Sequence, residues 1–239
     1  MQRVLIADDD PVSLCFLAAA LTQVGCDVVA VGDGAAALVA IQTHEFDLLL
    51  LDRRMPDLGG AELLVALRAC GAASPAIATS AEVDAVITAQ LRAAGFDDII
   101  EKPTTLARLQ HVVGTYLDLS AIPAAAAKTP SPVAWLDDAA ALAAIGGDAE
   151  TLRALRGLLA QELATLENEL RKSDPFAQPE YLRERLHRLR ASCGFCGAPA
   201  LAAAAAQLEQ VLRVDATNAQ STLVEFIRSC RDTVAALRG

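Results

Sequence analysis

Three acids in a row, Asp8-Asp9-Asp10, close a short apolar run at Arg3–Ala7. Another, Asp52, follows the run Phe46–Leu51, while Ser80 follows Pro75–Thr79 and Lys102 follows Asp97–Ile100, with only Glu101 between. Clustered carboxylates repel one another and hold their protons more tightly unless a cation joins them. Oxygen ligands with few other partners suit Mg2+, which keeps waters and is usually completed by phosphate oxygens. A carboxylate beside Mg2+, a lysine and a hydroxyl is the equipment for phosphoryl transfer to an aspartate nucleophile. The plainer reading is that the triple acid caps a helix. Asp10 suits that use, but capping leaves Asp52 and Lys102 at the ends of other runs unexplained.

A second set of residues surrounds His187. With 100° between successive residues of a helix, Leu182, Leu186, Leu189 and Cys193 form one stripe. His187 lies about 130° from its centre and is expected to face solvent. Ala191 and Gly194, one and two turns on, are expected to share its face and leave room for an approaching protein. Arg183 and Arg190 flank it and supply charge for a phosphate. An imidazole so placed can carry a phosphoryl group, although a lone surface histidine is ordinarily inert. Its weight comes from the company it keeps.

The elements that must position these groups fall into two kinds. In the first half, strand-like runs at Arg3–Ala7, Asp27–Val31, Phe46–Leu51, Pro75–Thr79 and Asp97–Ile100 alternate with helical spacings at Pro11–Val24, Gly34–Thr43, Gly60–Ala69, Val83–Ala94 and Leu106–Leu117. Phe46–Leu51 is almost continuously apolar, as a strand buried on both faces must be. Five β–α alternations predict an α/β fold with a doubly wound, five-stranded parallel sheet. Ligands of such sheets bind at the carboxyl ends of the strands, where Asp8, Asp9, Asp52, Ser80 and Lys102 all fall. The second half shows no strand pattern. A short helix at Asp137–Ile145 and long amphipathic segments at Ala149–Lys172, Glu180–Phe195, Pro199–Val214 and Ala219–Leu237 predict an all-α four-helix bundle. Pro123, Pro130 and Pro132 lie between the halves. The predicted domains are therefore residues 1–119, a Pro/Ala-rich linker at 120–134, and residues 135–239.

Residues 1–119 resemble the receiver domain of two-component response regulators. The matching pieces are Ile6-Ala7-Asp8-Asp9-Asp10-Pro11, Leu51-Asp52-Arg53-Arg54-Met55-Pro56-Asp57, Ala78-Thr79-Ser80-Ala81 and Glu101-Lys102-Pro103. The resemblance implies a flavodoxin-like fold in which Asp52 accepts a phosphoryl group. It implies that Asp9 binds Mg2+ directly, that Asp8 helps position it, and that Asp52 and the backbone carbonyl of Arg54 are further ligands. Ser80 would hydrogen-bond the phosphoryl oxygen and Lys102 would pair with it. Ser80 is preferred over Thr79 because it directly precedes the alanine. Ile99 departs from the family, which often carries an aromatic switch residue three positions before the lysine.

The stretch His187-Arg-Leu-Arg190-Ala-Ser-Cys-Gly-Phe-Cys-Gly197-Ala198, with Leu201 and Leu208-Glu209 downstream, resembles the histidine phosphotransfer (HPt) domain. The resemblance makes His187 the phosphoryl carrier, supported by Arg190, Arg183, Ala191 and Gly194. Arg190 replaces the family's usual lysine and Ala191 its usual glycine. Together the two resemblances imply a phosphorelay protein with an upstream histidine kinase and a downstream response regulator receiver as partners. It would be a phosphotransfer intermediate, since no kinase segment is recognisable in the chain. A phosphate sink, or a scaffold whose receiver controls access to the bundle, is the alternative. A small-molecule aspartyl-phosphate hydrolase is disfavoured, because such enzymes use a second Asp where Arg54 stands.

Composition restricts the partners. The formal net charge is −10, and residues 1–120 carry 7 Lys+Arg against 16 Asp+Glu. That balance argues against nucleic acid or an anionic membrane surface as partner. No apolar run reaches the roughly 18 residues of a membrane span, and the acidic N-terminal stretch is unlike a signal peptide, so a cytoplasmic location is expected. The pair Cys193-x-x-Cys196 has no second cysteine pair beside it and reads as core packing.

Overall fold

The computed structural model describes residues 2–56, 58–117, 135–172, 174–214 and 219–238. The expected linker at 120–134 lies outside the described residues. The chain divides into two compact units, Met1–Ala126 and Ala127–Gly239.

In the first unit five strands alternate with five helices: β1 (Arg3–Ala7), α1 (Pro11–Gln23), β2 (Asp27–Val31), α2 (Gly34–Thr43), β3 (Leu48–Asp52), α3 (Gly60–Ala69), β4 (Ala76–Ser80), α4 (Ala85–Ala93), β5 (Asp98–Glu101) and α5 (Leu106–Tyr116). The sheet is parallel with order β2-β1-β3-β4-β5. Every residue of β3 and β4 is buried, as their central places demand. Alternate side chains serve two cores. Leu5, Leu49, Leu51, Ala76 and Ala78 pack with Leu63, Leu64 and Leu67 of α3 and Leu91 of α4. Val4, Ile6, Leu48, Leu50 and Ile77 point the other way, and α1 packs against α5.

Strand ends differ from the sequence expectation in one consistent sense. β3, β4 and β5 each run one residue further, to Asp52, Ser80 and Glu101. Backbone pairing continues past the apolar run, since Arg53 N–H donates to Thr79 O at 2.9 Å and Lys102 N–H to Ser80 O at 2.8 Å. Hydrophobicity does not register those polar last residues. Likewise α4 begins two residues late, because Asp84 is its cap and accepts from Ile87 N–H at 2.7 Å.

The second unit is helical: α6 (Asp138–Ala144), α7 (Ala149–Lys172), α8 (Pro179–Cys196), α9 (Pro199–Val214) and α10 (Gln220–Arg238). α7 packs against α8 and α10, and α9 against α8 and α10, which closes a four-helix ring. Leu155, Leu159 and Leu163 of α7, Leu186 and Leu189 of α8, Leu201 and Leu208 of α9 and Phe226 of α10 fill its centre. Each such leucine contributes about 2 kcal/mol of burial. Gly197 ends α8 with φ +66°, and a Cβ there would run into the Asp137 carbonyl oxygen. That approach lets Asp137 N–H donate to Gly197 O at 2.7 Å and docks α6 on the end of α8. No helix among the described residues is long and apolar enough to cross a membrane.

Candidate functional site

The sheet order brings the carboxyl ends of β1, β3, β4 and β5 together. Asp8 and Asp52 are buried and Asp9 half-buried, and one carboxylate oxygen of each lies within 4.8 Å of the others. Asp10 is not part of this group. It caps α1, accepting from Val12 N–H at 3.3 Å and Ser13 N–H at 3.1 Å. Lys102, itself buried, bridges two of the acids: Nζ donates to Asp8 Oδ2 at 2.6 Å and to Asp52 Oδ1 at 2.5 Å. Arg54 N–H donates to Asp52 Oδ2 at 3.0 Å. Arg54 itself follows the end of β3 by two residues.

The electrostatics are those of a crowded acid site. Burial pushes the Asp8 carboxyl up to about 7; Lys102 opposes the rise, and the Asp52 and Asp10 carboxylates add to it. Burial alone would lower the Lys102 ammonium, but the Asp8 and Asp52 charges outweigh it and raise it above the usual lysine range. One cation among three carboxylates leaves negative charge in excess, and all the offered atoms are hard oxygens. That donor set fits a small divalent cation.

The two hydroxyls of β4 do different things. Thr79 Oγ1 donates to Asp52 Oδ1 at 3.3 Å, whereas Ser80 Oγ donates to Glu82 O at 2.6 Å and accepts from Glu82 N–H at 3.3 Å. The hydroxyl that touches the carboxylate is thus the one sequence reasoning set aside. Ile99 packs against the core cluster on the α3 side of the sheet.

In the second unit His187 of α8 meets a side chain of α9. Nδ1 lies 3.4 Å from Glu209 Oε1, a loose contact with a carboxylate brought in by α9. Ala191 departs from the expectation that it lies on an open face. It is buried, as are Ser192, Cys193, Phe195 and Cys196, because α6, α7 and α9 together cover the C-terminal half of α8. Gly194 is exposed.

The arginines are also engaged. Arg183 Nη1 donates to Glu180 at 2.8 Å on its own helix. Arg190 Nη1 donates to Glu209 Oε2 at 2.9 Å, and Arg213 Nη2 lies 3.7 Å from Glu209 Oε1. Burial would raise the Glu209 carboxyl, but His187 and Arg190 outweigh it and hold it at about 2. Glu209 is therefore the charged centre of this site. The sequence showed it only as part of a Leu-Glu pair, 22 residues beyond His187, without a role.

Residues 4–114 match the family model described as response regulator receiver domain, and residues 150–239 match the one described as Hpt domain. The chain carries a receiver domain and an Hpt domain. Sensor histidine kinase GacS of Pseudomonas protegens is 30% identical over 235 residues, which is 94% of this chain and 26% of the relative. Signal transduction histidine-protein kinase BarA of Escherichia coli K12 is 29% identical over 225 residues, 88% of this chain and 24% of the relative. This receiver–Hpt chain thus spans about a quarter of the length of the curated relatives it matches. Among solved structures, chemotaxis protein CheY4 of Vibrio cholerae is 25% identical, with a TM-score of 0.48, over 49% of this chain and 99% of that one.

Proposed function

We propose that the chain is a phosphorelay module with two phosphoryl acceptors, Asp52 and His187. The observation that carries the reading is the cluster of Asp8, Asp9 and Asp52, with Lys102 bridging the buried Asp8 and Asp52, in a receiver joined to an Hpt domain. An oxygen of Asp52 bonds the phosphorus of a phosphohistidine donor as the N–P bond breaks. The electron pair stays on the donor imidazole, which takes a proton from solvent. Lys102 sits beside Asp52 to neutralise charge on the transferring group. Ser80, at the end of the adjoining strand, is the hydroxyl proposed to meet a phosphoryl oxygen once it turns from Glu82. Mg2+ would be held by Asp8, Asp9, Asp52 and the backbone carbonyl of Arg54. It supplies charge neutralisation at the phosphoryl oxygens when bound.

At the second acceptor, Nε2 of His187 is the proposed nucleophile. Glu209 faces Nδ1 and so favours the tautomer with its proton there, leaving the Nε2 lone pair for phosphorus. Arg190 and Arg183 are the nearby cations proposed to meet the phosphate, and exposed Gly194 leaves an approach along the helix. The donor class is a histidine kinase and the receiving class another response regulator's receiver domain. Such phosphohistidine donors are made from ATP, which supports a cytoplasmic setting. The domain limits we propose are 1–119 for the receiver and 135–239 for the Hpt domain.

The test is incubation of the full chain with a phosphorylated histidine kinase domain and Mg2+, comparing wild type with Asp52→Ala and His187→Ala. Loss of base-labile acyl phosphate in the first variant and of acid-labile, base-stable phosphohistidine in the second is expected. Labelling that is unchanged in both ends the reading.

A further inference from the structure

The buried Thr79 hydroxyl is not used in the reading above. Thr79 pairs in register with Asp52 on the neighbouring strand, and the backbone bond from Arg53 N–H to Thr79 O fixes that register. Parallel neighbours in register project to the same side of the sheet. The Thr79 side chain is thereby held against the carboxylate, 1% exposed, with Oγ1 donating to Asp52 Oδ1. Lys102 donates to that same oxygen, whereas Oδ2 receives the Arg54 amide. The neighbouring Ser80 hydroxyl is closed into a loop with Glu82 and does not touch Asp52.

We propose that Thr79 is a positioning residue that shortens the life of the phosphoryl group on Asp52 by favouring the free carboxylate. The inference rests on Asp52 being a phosphoryl acceptor. A hydrogen bond to an ionised oxygen is about twice as strong as one to a neutral oxygen. When Asp52 becomes an acyl phosphate, its unesterified oxygen is a neutral carbonyl, and the Thr79 bond weakens. In hydrolysis a water oxygen bonds phosphorus while the bond from phosphorus to the Asp52 oxygen breaks. The electron pair returns to the carboxylate, and the water proton passes to solvent as inorganic phosphate is released. The Thr79 bond strengthens as that pair returns, so it stabilises the transition state more than the acyl phosphate. The same argument applies when the attacking group is a histidine nitrogen. The two hydroxyls of β4 then divide the work: Thr79 serves the free carboxylate and Ser80 the phosphoryl group.

The full chain carrying His187→Gln, which removes the second acceptor, is loaded with acetyl phosphate and Mg2+ and then freed of donor. Decay of the acyl phosphate is followed in this background and with Thr79→Val or Thr79→Ser added. Valine keeps the shape and removes the donor, so decay is expected to slow about three- to tenfold, the range of an ordinary hydrogen bond, because only the difference between the bond in the transition state and in the acyl phosphate counts. Serine keeps the donor and is expected to decay at the parental rate, with Mg2+ affinity the same in all three. Parental decay in the valine variant overturns the proposal. Slow decay in both variants also overturns it, because the methyl group would then be what matters. A parent that takes up no phosphate at all instead removes the Asp52 reading, and this inference with it.

Discussion

Arg190 Nη1 donates to Glu209 Oε2 at 2.9 Å across the contact between α8 and α9. The arginine best placed to meet a phosphoryl group on His187 is thus already bound to a carboxylate, and that carboxylate also faces the imidazole. Phosphorylation at Nε2 puts positive charge on the ring, which Glu209 offsets from 3.4 Å. Glu209→Gln keeps the shape and removes the charge. Phosphoryl transfer to His187 is expected to slow about tenfold, in line with the loss of one charge-assisted contact. Labelling of Asp52 by a small phosphodonor is expected to stay at the wild-type rate. Equal His187 transfer rates in the two proteins would show that Glu209 only fills space.

The same carboxylate makes the bundle sensitive to acid. Glu209 is held at about 2 in the folded chain against an ordinary value of 4.5. A carboxyl depressed by folding adds stability that is fully present above its unfolded value and is lost as pH falls toward the folded one. Wild type is therefore expected to lose stability between about pH 4.5 and 2 more steeply than Glu209→Gln. Denaturant unfolding of both proteins, followed by helix signal at several pH values, checks this. Parallel curves would contradict it.

Asp8 has the opposite sign. Its carboxyl is raised from 3.8 to about 7 by burial among other acids. Stability tied to its protonated form is fully present below the unfolded value and is lost as pH rises through the folded one. Asp8→Asn is therefore expected to stabilise the metal-free receiver, by most above about pH 7 and by progressively less toward pH 4. Lys102 keeps Asp52 as a partner in that variant. Mg2+ binding is expected to weaken at the same time, because one carboxylate of the set is gone. Thermal melts with and without Mg2+ measure both effects. A variant less stable than wild type at pH 8 without metal would overturn the assignment.

The receiver was largely legible because its chemistry lies at strand ends. The apolar run Leu48–Leu51 announces a central strand, and Asp52 follows it directly, so its position at the carboxyl edge is set by chain order alone. Asp8, Asp9 and Lys102 follow from the same rule. The choice between Thr79 and Ser80 does not. It depends on the register of β4 against β3, which is settled by backbone pairing rather than by side-chain pattern. In the bundle, the leucine spacing of α8 shows its core stripe but not which neighbours cover the rest. The burial of Ala191 and the meeting of His187 with Glu209 both come from packing of helices remote in sequence.

Gly60 tests how closely the acceptor depends on its floor. It opens α3, and its N–H donates to Arg53 O at 3.1 Å, directly behind the strand end that carries Asp52. A Cβ at this position would run into the Asp52 carbonyl oxygen. That neighbour is backbone in a fully buried strand, so relief requires β3 and α3 to part. Overpacking of this kind costs about 2 kcal/mol. Gly60→Ala is expected to lower the receiver's unfolding free energy by that amount. Because the displaced atoms belong to Asp52 itself, the carboxylate is also expected to lose its alignment with Lys102. Phosphoryl uptake from a small donor should then fall even at temperatures where the variant is fully folded. Rates measured well below the melting transition separate the two effects. A variant that melts early but takes up phosphate at the wild-type rate would show that the acceptor tolerates movement of its own backbone.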